Sequence, residues 1–337
     1  MTSLATKPQT VSRLLEISGL SLDFGTPRGR IHALRNVSLN LSAGQVLGIV
    51  GESGSGKSTL AYTVMGLLSD NAETTAGSIN FEGRDLLKLR LRDRRSIMGD
   101  RISMIFQDPM TSLNPVRTVE SQMIDIQHHR PISRSEKRTL AVEMLGRVGI
   151  PDPQARIRSY PYQFSGGMRQ RICIAMALLV KPALLIADEP TTALDATLEV
   201  QILHLLKDLQ REIGCSILFV SHHLGAVAEL CDHVAVMYAG EIVEHGSVRD
   251  VFHNPRHPYT RALLDCDPGR IQQRTRVLPT IPGDIPSLYG KTQGCIFRER
   301  CPHAFGRCQQ ENPVESRIGD EQVVRCHLLG EERMVSA

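Results

Sequence analysis

The sequence predicts an α/β fold built on a mostly parallel β-sheet that is covered by helices on both faces. Two observations support this prediction. Continuous apolar runs of five or six residues occur at 45–50, 102–106, 183–188 and 216–221, and such runs are typical of strands buried on both faces. Helical patterns lie between some of these runs, which favours parallel strands joined by crossover helices.

The other predicted elements surround this sheet. Short alternating segments in residues 14–45, such as IHALRNVSLNL, are typical of antiparallel strands. Residues 107–180 contain no convincing buried strand and are predicted to form a helical insertion between two halves of the sheet. Asp195 occupies the N-cap position of a further predicted helix. That helix has one apolar stripe, formed by Leu198, Ile202, Leu205, Leu206, Leu209 and Ile213.

Composition limits the possible classes of protein. A chain of 337 residues can hold one large domain and an appendage, and its net charge of +3 is too small to indicate nucleic-acid binding. The N-terminus lacks a signal-peptide pattern, and no apolar run reaches the roughly 18 residues of a spanning helix. We therefore expect a soluble, cytoplasmic chain whose membrane contacts run through a partner. Prolines become frequent after NPRHPYT (254–260), so we place a domain boundary near residue 255.

A phosphate-binding loop is predicted at GESGSGKST (51–59), which matches G-x-x-x-x-G-K-[ST] between a predicted strand and a predicted helix. Glycines let backbone N–H groups face phosphate oxygens, and a lysine neutralises the β- and γ-phosphates. The Ser58 hydroxyl can reach Mg²⁺. The predicted nucleotide ligands are Gly51, Ser53, Gly54, Ser55, Gly56, Lys57, Ser58 and Thr59.

Two acidic residues end the predicted strand in LLIADEP (184–190). The strand brings Asp188 to the carboxyl edge of the sheet, where it can hold Mg²⁺ through water. Glu189 follows directly and can polarise an attacking water. An Asp-Glu pair at a strand end is usually a solvated corner, but together with the phosphate loop it predicts nucleotide hydrolysis.

A second glycine-rich segment, QFSGGMRQR (163–171), also has the features of a phosphate contact. Ser165 can cap a helix that begins at Gly166 and Gly167, and the bare glycines would let that helix terminus approach a γ-phosphate. Considered alone, the motif is better explained as an ordinary capped helix.

Together with ALLIADEPTTALD, this segment resembles the signature motif and magnesium-binding strand of the ATP-binding cassette (ABC) ATPases. The resemblance covers residues 12–255. It implies a RecA-like core, an antiparallel β subdomain and a helical subdomain at about 107–180. In that family two cassettes pair head to tail, and each ATP lies between the phosphate loop of one and the Ser-Gly-Gly of the other. The second segment would therefore serve the partner's nucleotide.

The resemblance assigns roles to four more residues. Gln107 matches the loop glutamine that senses Mg²⁺ and the γ-phosphate, and His222 matches the switch histidine. Phe24 falls where an aromatic ring stacks on adenine, although it could instead only fill core. Asp195 matches a loop that crosses the dimer interface.

Three departures from the family pattern are visible. Phe164 and Met168 replace the commoner leucine and glutamine of the signature, which leaves Ser-Gly-Gly intact. His223 replaces an aspartate that is usual after the switch histidine. It is therefore open which of the two imidazoles faces the nucleotide, and we choose His222.

The tail narrows the resemblance to one type of cassette. NPRHPYTRALL, LPTIPGDIP and CIFRERCPHAFGRC are similar to the C-terminal extension, here 256–337, of ATPases that energise dipeptide, oligopeptide and nickel importers. The chain resembles the D-type cassette of the peptide branch. This implies ATP and Mg²⁺ as ligands, a second, different cassette, two membrane permease subunits and a periplasmic substrate-binding protein. It also implies a peripheral location on the cytoplasmic face of a bacterial inner membrane.

Other functions were weighed against peptide import. The same cassette could energise nickel or metallophore import, because it does not contact the cargo. A soluble ABC ATPase acting on ribosomes or DNA is disfavoured, since the chain has one cassette and no heptad run. A P-loop kinase or small GTPase does not account for the Ser-Gly-Gly motif.

Four of the eight cysteines, Cys295, Cys301, Cys308 and Cys326, lie close together in sequence near the end of the chain. In a reducing compartment this pattern suggests metal rather than disulfides. Zinc would suit four sulfurs, but its usual short C-x2–4-C knuckle is absent, and the longer spacing suits an iron–sulfur cluster. Some members of the importer family carry a [4Fe-4S] cluster at these cysteines and others have tails described as metal-free. We predict the cluster, with zinc and no metal as alternatives.

Overall fold

In a computed structural model of the protein, the described residues are 13–192, 194–270, 279–290, 293–319 and 321–331. Residue 12, the predicted start of the cassette, and residues 332–337 of the predicted extension lie outside them. The strands are β1 (Arg13–Thr26), β2 (Gly29–Ser42), β3 (Val46–Val50), β4 (Ala72–Phe81), β5 (Arg84–Asp85), β6 (Ile102–Ile105), β7 (Leu184–Asp188), β8 (Ser216–Val220), β9 (His233–Tyr238), β10 (Glu241–Ser247), β11 (Glu315–Ile318) and β12 (Gln322–Arg325).

Helices connect and cover these strands. They are α1 (Lys57–Met65), α2 (Leu91–Ile97), α3 (Pro109–Ser112), α4 (Val119–Asp125), α5 (Arg134–Arg147), α6 (Pro153–Arg156), α7 (Gly166–Leu179), α8 (Ala196–Ile213), α9 (Leu224–Leu230), α10 (Val248–His253), α11 (Pro258–Asp265), α12 (Gly306–Gln310) and α13 (Leu328–Glu331). None of the described helices is long and apolar enough to cross a lipid bilayer.

The main sheet has eight strands in the order β11-β12-β10-β9-β3-β8-β7-β6. The strands β9, β3, β8, β7 and β6 run parallel to one another. At the other end of the sheet β10, β12 and β11 each pair antiparallel with their neighbours. The four apolar runs recognised in the sequence are β3, β6, β7 and β8, so the predicted parallel sheet is confirmed. These strands lack polar alternation because both of their faces are buried: Leu47 and Ile49 pack into one core, and Val46 and Val50 into the other.

A second, antiparallel sheet of four strands lies on one face, in the order β2-β1-β4-β5. Its inward residues alternate along the strands, as Leu20, Leu22 and Leu34 do, and they share a core with the inner face of helix α1. The antiparallel strands predicted for residues 14–45 are thus confirmed, and this sheet supports the helix that follows the phosphate loop.

The predicted helical insertion lies between β6 and β7. Every residue from 107 to 180 is described, and none of them is in a strand. Helix α5 begins with a capping box in which Ser133 and Glu136 satisfy each other's backbone N–H groups. Helix α7 packs against α5 and β6, so it carries the Ser165 motif on the insertion rather than on the main sheet.

The proline-rich tail packs against the cassette. Strand β12 pairs with β10 and extends the main sheet, while the N–H of His32 donates to the carbonyl of Leu288 at 3.0 Å. Cys295, Phe297 and Cys308 lie in the same core as the helices around the main sheet. The tail therefore contacts the main sheet and the antiparallel sheet, and it has buried apolar residues that belong to the common core.

Candidate nucleotide site

The phosphate loop connects β3 to α1, in the context that its motif requires. Gly51 has a φ of 152°, and a Cβ at this position would lie 2.0 Å from the carbonyl oxygen of Met237. No side chain fits there, so the loop passes close to β9 only because the residue is glycine. Ser53 and Gly54 are exposed, whereas Ser55 is buried and its hydroxyl finds no hydrogen-bond partner within the part of the chain that the structure describes.

Lys57 begins helix α1 and is almost fully buried. Its ammonium group donates to the carbonyl oxygens of Gly51 at 2.8 Å and Glu52 at 3.0 Å, so it folds back over the loop. Burial lowers the pKa of Lys57, and the carboxylates of Glu189, Asp188 and Glu52 act in the opposite direction by favouring its charged form. The ammonium group therefore lies where it could exchange these carbonyls for phosphate oxygens.

Asp188 ends strand β7 and is completely buried. The Ser58 hydroxyl donates to its Oδ1 at 2.9 Å, and the carboxylate also interacts with the Tyr62 hydroxyl. Oδ2 is buried and accepts no hydrogen bond of ordinary length and angle from the described residues. Burial raises the pKa of Asp188, and the neighbouring Glu189 carboxylate raises it further. A hydroxyl beside a carboxylate oxygen that lacks a partner fits the oxygen ligands that Mg²⁺ prefers, so these residues fit the predicted cation.

Glu189 leaves the sheet in a left-handed conformation with a φ of 45°, which costs a residue with a side chain about 1–2 kcal/mol. Its Oε2 accepts hydrogen bonds from Gln107 Nε2 and Thr192 Oγ1, both at 3.0 Å. Such strain is often found at functional sites. The structure thus brings Gln107, from the start of the helical insertion, onto the predicted water-polarising carboxylate.

The two adjacent histidines have different partners. His222 Nδ1 lies 3.2 Å from Glu189 Oε1, whereas His223 Nδ1 lies 3.0 Å from Glu199 Oε1 on helix α8. Both rings are about half exposed. Of the two imidazoles, His222 is therefore the one that contacts Glu189, and its role toward the nucleotide stays a prediction.

Sequence reasoning did not single out Thr192 or Glu199, although both help to fix the site. Thr191 Oγ1 donates to Glu199 Oε1 at 2.8 Å, so Glu199 connects the turn after β7 to helix α8. A hydroxyl three residues after Glu189 was visible in DEPTTALD as a turn signal. Nothing in the sequence marked Glu199, which lies in the first turn of an ordinary amphipathic helix.

The second glycine-rich segment forms the helix start that was predicted. The Ser165 side chain accepts a hydrogen bond from the N–H of Met168 at 3.3 Å and caps α7. A Cβ on Gly167 would lie 2.3 Å from Leu198 Cδ2, but a Cβ on Gly166 would meet no atom within 4 Å. Gly167 thus packs against α8, while Ser165 and Gly166 are exposed at the helix terminus.

Two residues assigned through the resemblance lie outside this network of contacts. Asp195 caps α8 by accepting from the N–H of Leu198 at 3.0 Å, and it is exposed. Phe24, near the end of β1, is half-buried against the core that also carries α1. Their roles at the dimer interface and at adenine remain predictions.

The four tail cysteines come together in space, and no disulfide joins them. The neighbouring thiols contribute to raising the pKa of Cys295 to about 12 and that of Cys326 to about 11, although burial is the larger cause in both. Among the described residues no group of three or more His, Cys, Asp or Glu side chains is arranged to hold a metal ion. The iron–sulfur cluster therefore remains a prediction.

Comparisons with known proteins cover most of the chain. The family model described as "ABC transporter" matches residues 34–192, and the one described as "Oligopeptide/dipeptide transporter, C-terminal region" matches residues 243–308. The "Oligopeptide transport ATP-binding protein OppD" of Salmonella typhimurium is 47% identical over 92% of each chain. The "Dipeptide transport ATP-binding protein DppD" of Escherichia coli is 44% identical over 93% of this chain and 96% of its own.

Solved structures agree with this result. A dimeric ATP-binding cassette in a post-hydrolysis state, bound to ADP and phosphate, is 28% identical and has a TM-score of 0.63. The similarity covers 70% of this chain and 99% of that one. The fold, the two matched family regions and the full-length relatives agree, and the chain belongs to the ATP-binding subunits of the ABC transporter family, in the branch that carries the oligopeptide/dipeptide transporter C-terminal region.

Proposed function

We propose that this chain is an ATP-hydrolysing subunit of an ABC importer and couples ATP binding and hydrolysis to the uptake of di- or oligopeptides. The observation that carries the proposal is the convergence of Lys57, Asp188 and Glu189 at the carboxyl edge of the sheet, in a chain whose tail belongs to the oligopeptide/dipeptide branch. Relatives named for oligopeptide and dipeptide transport support the peptide substrate.

The residues divide the work of hydrolysis among them. Lys57 leaves the loop carbonyls and binds the β- and γ-phosphates, while backbone N–H groups of the loop and the start of α1 hold the same oxygens. Glu189 accepts the proton of the attacking water, and His222 and Gln107 hold that carboxylate in place. Ser58 and Asp188 would hold Mg²⁺, which would supply neutralisation of phosphate charge.

The exposed Ser165 and Gly166 act on the nucleotide of a second cassette. At this helix terminus the glycine has no side chain, and the space beside Gly166 is open, so an anion can approach the backbone N–H groups. A γ-phosphate is an anion of the kind that helix N-termini bind. We propose that the second cassette is a different chain, so that the complete unit is a heterodimer with two ATP sites. Asp195 lies beside this interface, and Phe24 stacks on adenine.

Coupling to the permease runs through the start of the helical insertion. An apolar cavity of about 230 Å³ lies between β6 and the insertion, lined by residues that include Ile105, Phe106, Leu113 and Met176. Phe106 is partly exposed and directly precedes Gln107, which contacts Glu189. A side chain of a permease helix placed in this cavity would therefore respond to the state of the catalytic carboxylate. The chain would act at the cytoplasmic face of the membrane, with a binding protein delivering substrate outside.

The proposal is tested by deleting the gene and measuring uptake of labelled dipeptides, oligopeptides and nickel. Loss of peptide uptake that the parental gene restores is the expected result. Loss of nickel or metallophore uptake alone would indicate that the transporter imports nickel or a metallophore and not peptides. If the chain purified from solubilised membranes carries ribosomes or DNA instead of permease subunits, the proposal that it belongs to an importer is wrong.

We also propose that the tail cysteines hold a [4Fe-4S] cluster. Every pair of the four thiols is close enough to interact electrostatically. Four cysteines are the number that a [4Fe-4S] cluster takes, one at each corner, although among the described residues no group of three or more potential ligands is arranged to hold a single metal ion. The cluster would fix the tail in place and take no part in ATP hydrolysis.

Anaerobic purification should yield a brown protein with about four irons per chain. The substitution Cys308→Ser should remove the colour and lower the melting temperature. The substitution Cys215→Ser, at a buried cysteine outside the tail, should leave the iron in place. A colourless anaerobic preparation that contains one zinc and no iron would contradict the cluster.

A further inference from the structure

One side chain of the C-terminal extension reaches the phosphate loop. Arg300 Nη1 donates to Glu52 Oε2 at 2.7 Å and Nη2 donates to Glu52 Oε1 at 3.0 Å, a two-pronged ion pair. The Arg300 side chain is 4% exposed and that of Glu52 is 27% exposed. Glu52 is the second residue of GESGSGKST and directly follows Gly51.

Other groups hold both members of this pair in place. Arg300 Nε donates to the carbonyl of Pro282 at 2.9 Å and Nη2 to that of Ile281 at 3.0 Å, while its guanidinium lies 5.7 Å from the centre of the Tyr238 ring. The N–H of Glu52 donates to the Tyr259 hydroxyl at 2.9 Å. The tail thus fixes the backbone and the side chain of the same loop residue.

The Glu52 carboxylate matters because of where it lies. It interacts electrostatically with the Lys57 ammonium group, which also donates to the Glu52 carbonyl. A carboxylate without a partner here would repel the phosphates of ATP and compete with them for Lys57. The bidentate contact with Arg300 balances the charge of this carboxylate and occupies both of its oxygens.

We propose that Arg300 is a positioning residue for ATP binding, through which the C-terminal extension holds the phosphate loop in the form that accepts nucleotide. The inference rests on the proposed ATPase function. The tail is then part of the nucleotide site as well as a support for the fold, and its role is to keep Glu52 paired while Lys57 moves from the loop carbonyls to phosphate.

The test is ATP binding by the full-length chain, measured with a fluorescent ATP analogue. We expect Arg300→Gln to weaken ATP binding about tenfold, because Glu52 would lose its charged partner and its carboxylate would compete with phosphate for Lys57. The double variant Arg300→Gln with Glu52→Gln should recover most of that loss, since no unpaired carboxylate is left. In the assembled transporter, Arg300→Gln should raise KM for ATP and change kcat little.

A matched control is available in the same tail. Arg325 pairs with Glu241 on β10 at 3.3 Å, both side chains are 14% exposed, and the pair does not touch the loop. Arg325→Gln should therefore leave ATP affinity unchanged. Melting temperature and metal content, measured on every variant, separate a folding defect from a binding defect. If Arg300→Gln does not fold, Arg300→Lys keeps the charge and should give a smaller loss of affinity.

Two outcomes would overturn the inference. One is a folded Arg300→Gln chain that binds ATP with parental affinity. The other is a double variant that binds no better than Arg300→Gln, which would reduce Arg300 to a structural contact. Failure of the parental chain to bind ATP would instead contradict the proposed function, so the two ideas fail separately.

Discussion

The chain has two segments built to meet phosphate, and their surroundings differ. Residues 51–59 are enclosed: Lys57 and Ser55 are buried, Gly51 lies against β9, and Glu52 is held by the tail. Ser165 and Gly166 are exposed, and the Ser165 side chain accepts a hydrogen bond from the N–H of Met168, which caps its own helix. Both segments lead into a helix N-terminus, but only the first has a buried lysine and contacts with the rest of the chain.

This contrast indicates how one protein can carry two phosphate contacts. The first is completed within the chain by Asp188, Glu189 and the tail. The second has an exposed helix terminus at Ser165 and Gly166, and in the proposed head-to-tail pair another cassette would complete it. The two segments can therefore be separated by substitution, because damage to one should affect this chain's nucleotide and damage to the other should affect the partner's.

The largest expected effect tests the enclosed segment. Glu189→Gln should lower hydrolysis at this site by about 1000-fold while ATP binding is kept, because only the water-polarising carboxylate is lost. Photoaffinity labelling with 8-azido-ATP should then find ATP rather than ADP on this chain. Glu199→Gln, which removes a nearby carboxylate that contacts His223, is the control and should change the rate much less. Hydrolysis at the parental rate in the full assembly would show that Glu189 is not the base.

Two substitutions break the comparison directly. Lys57→Ala should weaken nucleotide binding by the isolated chain by about 100-fold, because charge-assisted hydrogen bonds to phosphate are lost. Ser165→Arg should leave that binding intact and still block the assembly, since a bulky cation occupies the space for the partner's γ-phosphate. Equilibrium binding and ATPase assays on the same preparations distinguish the two. Loss of nucleotide binding by the isolated Ser165→Arg chain would contradict the assignment of the second segment to the partner.

The smallest effect separates two neighbouring glycines. Gly166→Ala meets no atom within 4 Å, so the free energy of unfolding should stay within about 0.5 kcal/mol of the parental value, while ATPase activity of the assembly falls about tenfold. Gly167→Ala would place a Cβ 2.3 Å from Leu198 Cδ2, and the required movement should lower the free energy of unfolding by about 1 kcal/mol. Denaturant titration and ATPase assays measure both. Equal effects of the two substitutions on activity and on stability would contradict the separate roles of Gly166 in activity and Gly167 in packing.

The parallel sheet and the phosphate loop could be predicted from local patterns. Runs such as QVLGIV are apolar throughout because both faces of the strand are buried, and this property is legible in the residues themselves. Both helix caps, at Ser165 and Asp195, depend on hydrogen bonds within three residues, so spacing alone determined them. The family then followed from the order of these motifs.

Only the tertiary structure decided which side chains meet across long stretches of chain. Gln107 and Glu189 are 82 positions apart, and Glu52 and Arg300 are 248 apart. No periodicity links such pairs, because their contact depends on how the insertion and the tail pack against the sheet. For the same reason the sequence left His222 and His223 equivalent, and only the fold turned one imidazole toward Glu189 and the other toward Glu199.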